Sequence, residues 1–130
     1  MVSQEPVAIT GMGVFLPGAS TVDQYWRNLV AGVDAVTELP PHRRDPAFHG
    51  HDGTAPDRTH GRRGGFTADI LEFDPVAHGV PPTSLDGTEP DQLTALAVAV
   101  TAVEDAGGPG RLGDPERIGV VLGRGGYLSP

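Results

Sequence analysis

Val7-Ala8-Ile9-Thr10-Gly11-Met12-Gly13-Val14-Phe15-Leu16-Pro17-Gly18 runs from an apolar tetrapeptide into a Gly-x-Gly turn and stops at Pro-Gly. Three of the four residues from Val7 to Thr10 are β-branched, which predicts a short first strand, buried in the fold. Gly11 and Gly13 permit a positive φ or a close approach of another backbone at the strand end. Pro17-Gly18 is a turn signal. Which kind of glycine-rich strand end this is decides the fold.

The first rival is a dinucleotide loop. Leu16 stands where the third glycine of G-x-G-x-x-G belongs, and Pro17-Gly18 breaks the chain where a helix must open toward a pyrophosphate. Asp34 lies about 20 residues further on, the distance of a ribose-binding carboxylate, but in the wrong kind of segment. A Walker-type loop needs a lysine, and the chain has none. Close packing of neighbouring backbone is the role left for the two glycines.

Composition narrows the classes further. The 130 residues allow one modest domain. A formal charge of −8 and a pI near 4.8 disfavour nucleic acid and anionic membranes as partners. All nine basic residues are arginine, a bias that fits the codon usage of a GC-rich genome. With no cysteine, these residues hold no disulfide, thiol nucleophile or thiolate metal site. The acidic, proline-containing start lacks the apolar core of a signal peptide, and no run approaches the length of a membrane span. A cytoplasmic location is expected.

Two helices are legible. Thr21-Val22-Asp23-Gln24 reads as a capping box. Trp26, Leu29, Val30 and Val33 then recur on one face, with Asn28 inside the same pattern and Gly32 as its stop. Trp26 is expected as a core anchor. The stronger helix opens at Pro90, carries Leu93, Leu96, Ala97, Val100 and Val103 as its stripe, and ends at Gly107-Gly108-Pro109-Gly110. Ala95, Ala97, Ala99 and Ala102 allow packing on several sides, so this helix is expected to be buried. Arg117-Ile118-Gly119-Val120-Val121-Leu122-Gly123 is a continuous apolar run that predicts a central, parallel-type strand. Strand, helix, loop, helix and strand in that order give an α/β class.

Between the helices the signal weakens. The segment 40–63 holds four prolines, four histidines and five arginines without apolar period, and reads as a long irregular loop. Gly65-Phe66 to Phe73-Asp74 regains apolar character and suits a short strand and turn. Pro75 to Thr88 is again irregular, and Pro81-Pro82 argues against helix there.

Each chemical constellation has a plain structural reading beside it. His42, His49, His51 and His60, with Asp45, Asp52 and Asp57, share one loop, but no helical i, i+4 pair orients them toward a metal. Glu104 and Asp105 at a helix end oppose the macrodipole, so an external partner such as an arginine is expected, while Asp105 faces solvent or bonds a neighbouring loop. Arg43-Arg44 and Arg62-Arg63 suit an anionic carrier, local acids or solvent. Ser3, Ser20, Ser84 and Ser129 all lack the G-x-S-x-G elbow of a nucleophilic serine. No residue is assigned as catalytic, cofactor-binding or metal-ligating, and no cofactor is called for.

Taken in register, five segments resemble the N-terminal part of a β-ketoacyl synthase, a condensing enzyme with a thiolase-like fold. They are Pro6 to Gly13 closed by Leu16-Pro17-Gly18, Tyr25 to Val36, Gly65-Phe66 with Phe73-Asp74-Pro75, Glu89-Pro90-Asp91-Gln92-Leu93 with Ala102-Val103-Glu104-Asp105-Ala106-Gly107, and Ile118 to Gly123. Glu89 departs from the family's usual aspartate and is a weaker cap. The resemblance implies part of a thiolase-like α/β fold, with helices layered on a mixed or parallel sheet, over residues 1–130 as one ketosynthase portion. It implies decarboxylative Claisen condensation in fatty acid or polyketide biosynthesis, polyketide by overall resemblance. Its partners would be an acyl carrier protein and a ketosynthase dimer partner. The family's cysteine nucleophile and two histidines match no position here, and His78 and the loop histidines do not stand in for them. A scaffold fragment, inactive alone, is therefore expected. A non-catalytic module docking on a ketosynthase or carrier is the alternative, and a dinucleotide-binding protein a minor one.

Overall fold

Thr21 begins the first helix by accepting a hydrogen bond from the Gln24 amide at 3.2 Å through its Oγ1. Gln24 returns the gesture one residue earlier than a capping box prescribes, its Oε1 accepting from the Ser20 amide at 3.1 Å. Helix α1 then spans Val22–Ala31. It ends at Gly32, whose φ of 66° is the left-handed conformation, with Gly32 N donating to the Leu29 carbonyl and Val33 N to that of Asn28. That pair of bonds is a Schellman closure. The computed structural model describes residues 6–45, 48–49, 59, 61–67, 73–123 and 125.

Strand β1 (Val36–Glu38) pairs antiparallel with β2 (Arg63–Gly65) in the register Val36 to Gly65, Thr37 to Gly64 and Glu38 to Arg63. β1 escapes sequence reading because three residues are too few to show a period. Arg63 reinforces the pair: its Nη2 donates to the Val36 carbonyl at 3.1 Å, and its Nε lies 3.7 Å from Glu38 Oε1. β2 thus closes the loop expected over 40–63. That loop also contains a 3-10 turn at Pro41–Arg43 and a bridge between His49 and Thr59.

The single-turn helix α2 (Pro82–Leu85) corrects the expectation drawn from Pro81-Pro82. Pro82 lies in the first turn, where its missing N–H has no intrahelical acceptor to lose, and Pro81 is extended, as a residue before proline prefers. Before it, Asp74 Oδ1 accepts from Val76 N at 3.0 Å and Ala77 N at 3.3 Å, capping the 3-10 turn Val76–His78. The Phe73 ring stacks on His78 with centroids 4.9 Å apart. The Phe-Asp-Pro segment is therefore a self-contained cap.

Helix α3 spans Pro90–Asp105, with Pro90 in its first turn as expected. Glu89 makes no side-chain cap bond, in keeping with its weak capping chemistry. Gly107 N to the Glu104 carbonyl and Gly108 N to that of Val103 close α3 by the same Schellman geometry as α1. The helix is half-buried rather than buried: Ala97 alone along it falls below a tenth exposed, at 7%. Trp26, expected in the core, is 65% exposed.

Both long apolar runs depart from the strands read in the sequence. Val7 to Thr10 has no ladder partner among the described residues, and Val7 and Ile9 are 95% and 84% exposed. Ile118 to Gly123 likewise forms no ladder there, and Val121 is 96% exposed. β-branched composition suits a pleated, half-buried surface, but a strand also needs a neighbour to take its N–H and C=O groups. The sheet among the described residues is the antiparallel β1–β2 pair. No helix among them is long and apolar enough to cross a membrane.

Replacing Thr21 by alanine removes the acceptor for the Gln24 amide and should cost α1 about 1 kcal/mol. Hydrogen exchange at Gln24 is then expected to quicken roughly fivefold, since 1.4 kcal/mol is tenfold. Thr21→Ser should restore the protection, and unchanged exchange in Thr21→Ala would refute the cap.

Candidate functional site

The candidate site is the junction between the Gly11-Met12-Gly13 turn and the C-terminal half of α3. A Cβ built on Gly11 would lie 2.1 Å from the Ala102 carbonyl oxygen and 2.8 Å from Ala106 N. One built on Gly13 would lie 2.4 Å from the Val98 carbonyl oxygen. Real Cβ atoms do not approach so closely, so both positions admit glycine alone without a shift of backbone. Ala102 and Ala106 keep the facing surface of α3 low enough for this contact.

Asp105 fastens the junction. Its Oδ2 accepts a hydrogen bond from the Met12 amide at 2.9 Å, across 93 residues of sequence. Of the alternatives for this acid, the neighbouring loop supplies the partner, and it is a backbone N–H rather than an arginine. The carboxylate compensates an amide that the Gly-x-Gly turn leaves without a ladder.

Beyond Gly13 the segment turns back on itself. Leu16 and Ala19 exchange backbone hydrogen bonds of 2.8 and 3.0 Å around Pro17-Gly18. Gly18 has φ 72°, and the Asn28 Nδ2 donates to its carbonyl at 2.8 Å. Ala19, 4% exposed, is buried beneath this turn. The Pro17 ring lies against Gly65 of β2, where a Cβ would come within 2.9 Å of its Cγ. The stretch Gly11 to Ala19 thus touches α3 at one end and α1 and β2 at the other.

The other residues singled out in the sequence are dispersed. Asp34 Oδ1 accepts from Val36 N at 2.9 Å, an Asx turn leading into β1, and its Oδ2 lies 4.0 Å from Arg63 Nη2. Arg43 donates to the Thr67 carbonyl at 3.3 Å and sits 5.9 Å from the Phe66 ring centre. Arg44 and Arg62 line a cleft of about 120 Å³ with Glu38, His49 and Thr59. His42 is exposed on the Pro41–Arg43 turn, and His49 Nδ1 contacts the Asp45 carbonyl at 3.0 Å. His51, His60, Asp52, Asp57, Ser3 and Ser129 lie outside the described residues. Among the described residues no three of His, Cys, Asp and Glu gather as metal ligands. Ser20 joins the α1 cap through Gln24, and Ser84 lies within α2. Glu104 is exposed on α3.

The junction presents backbone and small side chains, with the Thr101 hydroxyl bonded to the Ala97 carbonyl and the Asp105 carboxylate to the Met12 amide. Its geometry is that of a packing node. The model of the family described as "Beta-ketoacyl synthase, N-terminal domain" matches residues 4–128. The chain belongs to this family.

Curated relatives agree. The chain is 36% identical over 128 residues to polyketide synthase PksN of Bacillus subtilis, covering 96% of this chain and 2% of that protein. It is also 37% identical over 107 residues to polyketide synthase ThaQ of Burkholderia thailandensis, covering 79% of this chain and 5% of that one. Among solved structures, the oxazolomycin ketosynthase domain OzmH KS7 of Streptomyces albus superposes on 75% of this chain and 17% of its own with a TM-score of 0.64 at 31% identity. The ketosynthase from module 6 of the Bacillus subtilis bacillaene synthase superposes on 77% of this chain and 16% of its own, with a TM-score of 0.62 at 33% identity. This ketosynthase N-terminal domain therefore carries part of the thiolase-like ketosynthase fold. The α/β class is that of these neighbours, although the strands among the described residues are few.

Gly11→Ala and Gly13→Ala are expected to detach the turn from α3, exposing the Met12 amide to rapid hydrogen exchange. Gly119→Ala, where nothing lies within 4 Å of the added carbon, should leave that amide unchanged. Asp105→Ala should weaken the same protection by about 1 kcal/mol, the typical net worth of one hydrogen bond. Asp105→Asn, which keeps an acceptor oxygen, should retain most of it. Equal exchange in all these variants would contradict the junction.

Proposed function

We propose that residues 1–130 are the N-terminal scaffold of a condensing ketosynthase in polyketide biosynthesis, one portion of a larger catalytic domain. The observation that carries the reading is the amount of apolar surface left open. Large apolar side chains left open on one molecule mark a surface that another part of a protein covers. Val7, Ile9, Trp26, Val30 and Val121 all contribute to it.

Chemistry supports the same division of labour. Condensation of this type uses a cysteine thiolate to accept an acyl group from a carrier protein, then an extender that loses CO2 to give an enolate. The enolate carbon attacks the acyl thioester, forming the C–C bond and releasing the thiolate. These 130 residues contain no cysteine, so the thiolate belongs to sequence beyond them. None of the residues described takes a catalytic, cofactor or metal role in this reading. The acyl carrier protein and a second ketosynthase are partners of the parent enzyme.

The 130-residue chain, mixed with an acylated carrier and a malonyl-type carrier, is expected to form no β-ketoacyl product. Co-expression with a cysteine-bearing remainder of a ketosynthase should yield a soluble complex that forms it. Turnover by the chain alone would overturn the reading. Purified alone, the chain should aggregate through its apolar faces. A monodisperse, cooperatively unfolding product would instead favour a free-standing assembly module, and a stop codon after Pro130 with no second gene supplying the rest would remove the parent-enzyme reading.

A further inference from the structure

We draw no further inference here: the strongest candidate, the cleft of about 120 Å³ beside β1 that Arg44, His49, Thr59 and Arg62 line with Glu38, adjoins in sequence residues outside the described set, and nothing in the structure shows what would occupy it.

Discussion

The approach of the Gly11-Met12-Gly13 backbone to the backbone of α3 is the constraint on which the other contacts depend. Two main chains meet with no room for a methyl group at Gly11 or Gly13. Such a contact gains dispersion energy from many atoms at once but tolerates no added volume. The hydrogen bond from the Met12 amide to Asp105 then fixes the turn along the helix axis. With that register set, Pro17 reaches β2 and Asn28 reaches the Gly18 carbonyl, so α1 and the strand pair are placed by the same nine-residue stretch.

Features specified by neighbours in sequence were legible. The α1 cap at Thr21, its closure at Gly32, the start of α3 at Pro90 and its end at Gly107-Gly108 all follow from residue types within one turn or so of the helix ends they set. Features specified by distant partners were not. Val7 to Thr10 and Ile118 to Leu122 have strand composition, yet composition says nothing of whether a neighbour is present to pair with. β1 went unread for the converse reason: three exposed residues carry no burial pattern, and their pairing is decided by β2, 25 residues beyond Glu38 at its start. Pro82 misled because a proline forbids helix interior but suits a first turn.

The junction itself was half visible. The spacing of the two glycines, the absent third glycine and the Pro17-Gly18 break together removed a phosphate and left close packing. What they packed against was not visible, because the alanines of α3 read equally well as a helix packed on any side. Asp105 stood out only as an acid on the wrong end of a helix, and that oddity was the one sequence signal for its bond to Met12. Motifs of the family thus mark places where the scaffold is tight. Phe73-Asp74-Pro75 is another, its carboxylate and ring both consumed in closing one 3-10 turn.

The bond between Met12 and Asp105 also has a cost in time. It closes a loop of 93 residues. By the logarithmic law of loop closure this is about 3 kcal/mol more costly in entropy than the three-residue closure at Thr21. At ribosomal speeds of roughly 5–20 residues per second, on the order of 5–20 s separates synthesis of the two partners. Throughout that interval the Gly-x-Gly segment has no helix to lie on. The Gly-x-Gly segment is therefore secured only after α3 has been made, and the nascent chain depends on remaining soluble until Asp105 has left the ribosome.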